Sequence, residues 1–127
     1  MSAPSQSLDP DLEALVGEWL TVPEVAERLG MPLSRVRQSI AEREVVAARI
    51  GGRSVVAVPA RFYDEVGPRA DLKGTITVLA DGGMDDVQII RWLFTPDESL
   101  PVPGAPIDAL WAGRKREVRR RAQAEAL

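Results

Sequence analysis

Apolar residues along this chain keep a helical spacing, give way to two short β-branched runs, and then return to helical spacing. Leu12, Leu15, Val16 and Trp19 recur at helical intervals behind Asp9-Pro10, a capping residue and a first-turn proline, so a helix is expected over Asp9–Trp19. Thr21-Val22-Pro23-Glu24 has the spacing of a capping box, in which the Thr hydroxyl and the Glu carboxylate each take an orphan amide. Val22, Val25, Ala26 and Leu29 form the apolar stripe of that second helix, and Gly30 is its stop. Met31-Pro32 makes a turn, and a third helix is expected from Ser34 to about Glu42. Val36 and Ile40 should face inward there, with Arg35, Arg37, Gln38 and Ser39 outside or at the rim. Val45–Ile50 and Arg53–Val58 flank Gly51-Gly52, which predicts a hairpin. Pro59 should end the second strand and open a short helix holding Phe62, Tyr63 and Val66, with a domain boundary at Gly67-Pro68.

Leu72 to Ala80 carries two signals. Thr75-Ile76-Thr77-Val78 favours a strand by propensity, whereas Leu72, Ile76 and Leu79 fall on one helical face. The helix is preferred, because no partner strand is evident and Gly82-Gly83 supplies a stop. Asp85 caps a clearer helix to Phe94, with Gln88 three residues on and Val87, Ile90, Leu93 and Phe94 on one face. Four prolines make Thr95–Pro106 a loop. Ile107–Trp111 is one or two turns, and Arg114–Ala126 is a basic final helix with Val118 and Ala122 inside.

Composition then removes classes of chemistry. The 127 residues include no Cys and no His, which excludes disulfides, thiolate metal sites, Cys or His nucleophiles and Ser-His relays. No apolar run nears the roughly 18 residues of a membrane span. Met1–Leu8 lacks the basic start and apolar stretch of a signal peptide. A cytoplasmic, nucleoid-associated protein is expected, with no enzyme activity, cofactor or metal.

The net charge of −3 hides an uneven distribution. Met1–Gly30 has six acids and one base, and Asp64–Trp111 has nine acids and three bases. Between them Met31–Tyr63 carries six Arg against two Glu, and Ala112–Arg121 carries six bases against one Glu. Salt screens charges more than about 10 Å apart, so binding to a polyanion depends on local charge. The acidic total therefore leaves DNA binding open.

Two helices with a Gly turn and cations on the second are what a helix-turn-helix needs to brace one helix across the major groove. Arg can fork onto guanine and Gln can pair with adenine. The same pattern also fits a plain helical hairpin with solvated arginines. A hairpin directly after the second helix reads as a wing, with Arg49 just before its turn and Arg53 just after, placed for phosphates or the minor groove. The two features in tandem favour DNA.

Three pieces, "LTVPEVAERLGM", "SRVRQSI" and "ARIGGRSVVAVP", make Leu20–Phe62 resemble the winged helix-turn-helix of the MerR and excisionase class. The resemblance implies that Arg37 lies on DNA with Ser34 and Arg35 nearby, and that Arg49 and Arg53 serve from the wing; Gln38 is a candidate by its own chemistry. Pro32 stands where that class usually has a capping Ser or Thr, and Gln38 where an aromatic is common. The stretch "LKGTITVLADGGMDDVQIIRWLFTPDESLPVPGAPIDALWAGRKREVRRRAQA" resembles the helical C-terminal domain of a small actinobacterial DNA-binding family with the same winged domain in front. That family is associated with serine/threonine protein kinases acting on a flexible N-terminus, which implies Ser2, Ser5 and Ser7 as candidate phosphorylation sites. Part of the same stretch is similar to the helical domain of Xre-type antitoxins.

The run Arg114-Lys115-Arg116-Glu117-Val118-Arg119-Arg120-Arg121 is either a second phosphate-binding face or a solvated helix balancing the acidic middle segment. Arg43, Arg119, Arg120 and Arg121 are the candidate secondary DNA contacts. Trp92, Trp111 and Phe94 suit a core more than a pocket, and Asp85-Asp86 and Asp97-Glu98 suit capping and solvated loop more than metal. The expected protein is mainly α, with a disordered tail (1–8), a winged helix-turn-helix with a two-stranded β wing (9–67) and a small all-α C-terminal domain (68–127). Sequence-specific double-stranded DNA binding and transcriptional regulation are expected, with the C-terminal domain available for a homodimer or a partner protein. The rival is an antitoxin-like or adaptor interaction module whose helix-turn-helix is scaffold.

Overall fold

A computed structural model describes residues 10–125. In chain order these form α1 (Pro10–Val16), β1 (Trp19–Thr21), α2 (Val22–Leu29), α3 (Leu33–Ala41), β2 (Ala48–Ile50), β3 (Val55–Pro59), a 3₁₀ turn (Ala60–Phe62), α4 (Leu72–Asp81), α5 (Asp86–Phe94), α6 (Pro106–Trp111) and α7 (Lys115–Glu125). The fold is mainly helical with one small antiparallel sheet, as expected. None of the described helices is long and apolar enough to cross a membrane.

The expected two-stranded wing is part of a three-stranded sheet in the order β1-β3-β2. β1 was hidden because three residues are too short to display alternation, and Trp19 falls on the apolar spacing of α1. The indole N–H of Trp19 instead donates to the Glu13 carbonyl at 3.2 Å while its backbone lies opposite Pro59. β2 is also shorter than predicted. Val45 and Val46 are fully buried ahead of it, held by the core and not by strand pairing. Ser39, expected at the rim, is buried, and its hydroxyl is satisfied by the Val36 carbonyl at 2.7 Å. Val66 does not join Phe62 inside. Asp64 accepts from the Val66 and Gly67 amides, and the resulting turn leaves Val66 82% exposed.

The Leu72–Ala80 ambiguity resolves as helix, because packing overrides β propensity. Leu72, Thr75, Ile76 and Leu79 are all buried, and α4 packs against α7 and α5. Asp85 and Gln88 form the expected capping box at α5. The buried side chains fall into two clusters. The smaller one, Leu20, Val25, Val36 and Ala60, lies under the helix-turn-helix. The larger one joins Val45, Val46, Val58 and Phe62 to Ile76, Ile90, Leu93 and Ile107, so the core continues across Gly67-Pro68. The rings of Phe62 and Phe94 meet across that junction at 5.8 Å. Arg61 of the 3₁₀ turn adds a 2.7 Å ion pair with Asp108 of α6. The fold thereby fixes α3 and the wing to the helices that follow.

Candidate nucleic-acid interface

The helix-turn-helix is set by its caps. Thr21 Oγ1 accepts from the Glu24 amide and Glu24 Oε1 accepts from the Thr21 amide, closing the capping box of α2. Gly30 ends α2 in the left-handed region at φ 64°, a conformation a side chain at that position would resist. Pro32 is extended and supplies no side-chain cap, so α3 begins at Leu33. The uncapped first turn leaves the positive end of the α3 dipole open to an anion such as phosphate.

At about 100° per residue, Arg35 and Arg37 lie roughly 200° apart around α3, on opposite flanks. Val36 and Ser39 are buried between them and Ile40 is half-buried, so Ser34 and Gln38 project outward and are exposed. Gln38 Nε2 donates to Glu42 Oε2 at 2.9 Å. Arg37 shares a shallow groove with Thr21, Val22, Pro23, Ile40, Val55 and Val56, on the wing side. Arg35 lies on the other side, 3.7 Å from Glu44. Among the described residues Arg37 and Arg53 make no salt bridge.

The two wing arginines differ. Arg49 Nη1 donates to the Ser54 carbonyl at 3.2 Å, across the hairpin, whereas Arg53 sits exposed in the turn itself. That turn is anchored from α1, since Glu13 Oε2 accepts from the Gly51 amide at 3.0 Å.

The candidate secondary contacts are mostly engaged within the protein. Arg43 pairs with Asp86 of α5 at 2.9 Å. Arg119 donates to the Asp71 carbonyl at 3.4 Å and lies across Gly74, where a Cβ would push the guanidinium aside. Arg120 and Arg121 share Glu117, and Arg121 also reaches Ser99. Ser2, Ser5 and Ser7 lie outside the described residues. Sequence reasoning missed Arg69 and Lys73. Both line one depression with Arg35, and the acidic sum of Asp64–Trp111 concealed them.

Among the aromatics, Phe94 is core, and Trp111 is half-buried with the Arg69 guanidinium 4.0 Å from its ring centroid. The carboxylates serve the loops. Hydrogen bonds from the Val66 and Gly67 amides hold Asp64 below its ordinary pKa, with Arg69 adding to the effect, and the Ser99 hydroxyl and amide do the same for Asp97. Burial pushes Tyr63 up, with Glu44 nearby adding to the shift. Among the described residues no three carboxylates gather into a metal-binding group.

Residues 5–63 match the family model described as the wHTH domain of DNA-binding protein Rv2175c, and residues 70–126 match the Rv2175c C-terminal domain of unknown function. The DNA-binding protein Rv2175c of Mycobacterium tuberculosis is 42% identical over 130 aligned positions, covering 94% of this chain and 84% of that protein. An NMR structure of Rv2175c superposes with a TM-score of 0.78 at 37% identity, covering 100% of this chain and 99% of that one.

Proposed function

The chain belongs to the family of the DNA-binding protein Rv2175c, and from that premise we propose that it binds double-stranded DNA and regulates transcription. In this reading α3 enters the major groove, Ser34 and Gln38 meet base edges, Arg37 reaches guanine or phosphate, and Arg53 follows the backbone from the wing. One observation carries it most. The outward face of α3 is polar and exposed, and Arg37 on its wing side holds a cation that makes no salt bridge among the described residues. Single modules bury only about 600–1,000 Å² on DNA, so useful specificity calls for a second copy or a partner on adjacent half-sites.

The test is fluorescence polarisation with a labelled random-sequence duplex of about three helical turns over a salt series. Wild type should bind more weakly as salt rises. Arg37→Ala and the double variant Arg49→Ala/Arg53→Ala should weaken binding further. Salt-independent signal, or unchanged affinity in both variants, would overturn the reading.

A further inference from the structure

The major groove has two phosphate walls, and a helix lying in it has two flanks. The wing occupies the flank of α3 that carries Arg37. On the opposite flank Arg35 lines a depression with Glu44, Pro68, Arg69, Ala70 and Lys73. Three cations stand there against one carboxylate, and two of them, Arg69 and Lys73, come from a stretch whose own sum is acidic. Glu44 Oε1 is buried and accepts no hydrogen bond, so it tempers Arg35 at 3.7 Å without that oxygen facing outward.

Lys73 is exposed on the first turn of α4, and neither it nor Arg69 forms a salt bridge among the described residues. Asp64 and Asp71 line an adjoining depression with Arg69, and Asp64 is stabilised by it, while the Arg69 guanidinium lies over the Trp111 ring at 4.0 Å from its centroid. A guanidinium stacked on an aromatic face keeps its in-plane N–H donors for an acceptor, which is how Arg recognises phosphate. The shared core, with Phe62 against Phe94, holds these cations at a fixed place beside α3.

We propose that Arg35, Arg69 and Lys73 form a second phosphate-contacting track, by which the C-terminal half grips the wall of the major groove opposite the wing. The inference rests on the DNA reading of α3. It assigns the C-terminal half a sequence-independent role in affinity, distinct from base readout at Ser34 and Gln38.

The experiment is the salt series on the same random-sequence duplex with Lys73→Ala, Lys73→Arg and Arg69→Gln in the full chain. Ala suits an exposed helical position, so Lys73→Ala should fold. Thermal melting checks Arg69→Gln, which loses its stack. Each lost phosphate contact makes the slope of log K against log salt shallower by about 0.9. Between about 50 and 200 mM salt, the loss of affinity should therefore shrink about 3.5-fold in Lys73→Ala. Lys73→Arg should restore the wild-type slope. If Arg37→Ala weakens binding while Lys73→Ala and Arg69→Gln keep the wild-type slope, the track is wrong and the DNA reading stands. If wild type shows no salt-dependent binding, both fall.

Discussion

Val36→Ala tests whether the recognition helix shares its stability with the rest of the chain. Val36 is 1% exposed and sits in a cluster of only four buried residues, with Leu20, Val25 and Ala60. The substitution removes two carbons, worth about 1.6 kcal/mol in transfer free energy. A cavity left in so small a cluster adds about 1 kcal/mol, less if Leu29 and Met31, which pack at its edge, move inward. The expected cost is about 2–2.5 kcal/mol. With a urea m-value of about 1.5 kcal/mol/M, the midpoint should fall by roughly 1.5 M. Two probes decide where the loss is felt. Trp19, Trp92 and Trp111 all pack against the larger cluster, so their fluorescence follows that core, whereas far-UV circular dichroism follows every helix. Because Val58 and Phe62 tie the sheet and its exit into the larger cluster, both probes should shift together. A circular-dichroism transition that moves ahead of the fluorescence would refute the idea of one cooperative unit. A shift under about 0.3 kcal/mol would refute the packing argument itself.

Other outcomes follow from individual contacts. Thr21→Ala opens the α2 capping box and should cost about 1 kcal/mol by the same urea titration. Arg53→Ala should make the salt slope of DNA binding shallower by about 0.9. Arg49→Ala should change it less, because Arg49 already donates to Ser54; equal effects would mean the wing rearranges on DNA. Burial acts to raise the pKa of Asp108, but the Ala105 amide and Arg61 outweigh it and hold the group below its ordinary 3.8. Its contribution is thus present above that value and is lost as pH falls through the lowered one. Asp108→Asn should be less stable than wild type at neutral pH in thermal melts, and the gap should close in strong acid. A gap that persists or widens there would contradict the assignment.

Much of the fold was legible because its signals are local. A capping box, a left-handed glycine stop and a helical stripe each depend on residues within one or two turns, so Thr21, Gly30 and Asp85 could be placed from spacing alone. β1 was illegible for the opposite reason. A three-residue strand exists only because β3, almost forty residues away in the chain, pairs with it. Ser39 was misplaced because its polarity suggested the rim, while a bond to Val36 within its own helix removes the cost of burying it. The site divides in the same way. Side-chain chemistry alone made Arg35 and Arg37 alike and only the family resemblance singled out Arg37, whereas the fold sets them on opposite flanks of α3.

The sequence by itself determined the order of the helices, the caps of α2 and α5 and the chemistry excluded by the absence of Cys and His, since caps, periodicity and composition are properties of neighbouring residues. Tertiary structure decided which cations remain available. Folding pairs Arg43 with Asp86, turns Arg119 over Gly74 toward Asp71, and leaves Arg37 and Arg53 without a salt bridge among the described residues. It also sets Arg69 and Lys73 next to Arg35, although they are over thirty residues apart in the chain. Charge acts through distance in space, which the order of residues does not contain.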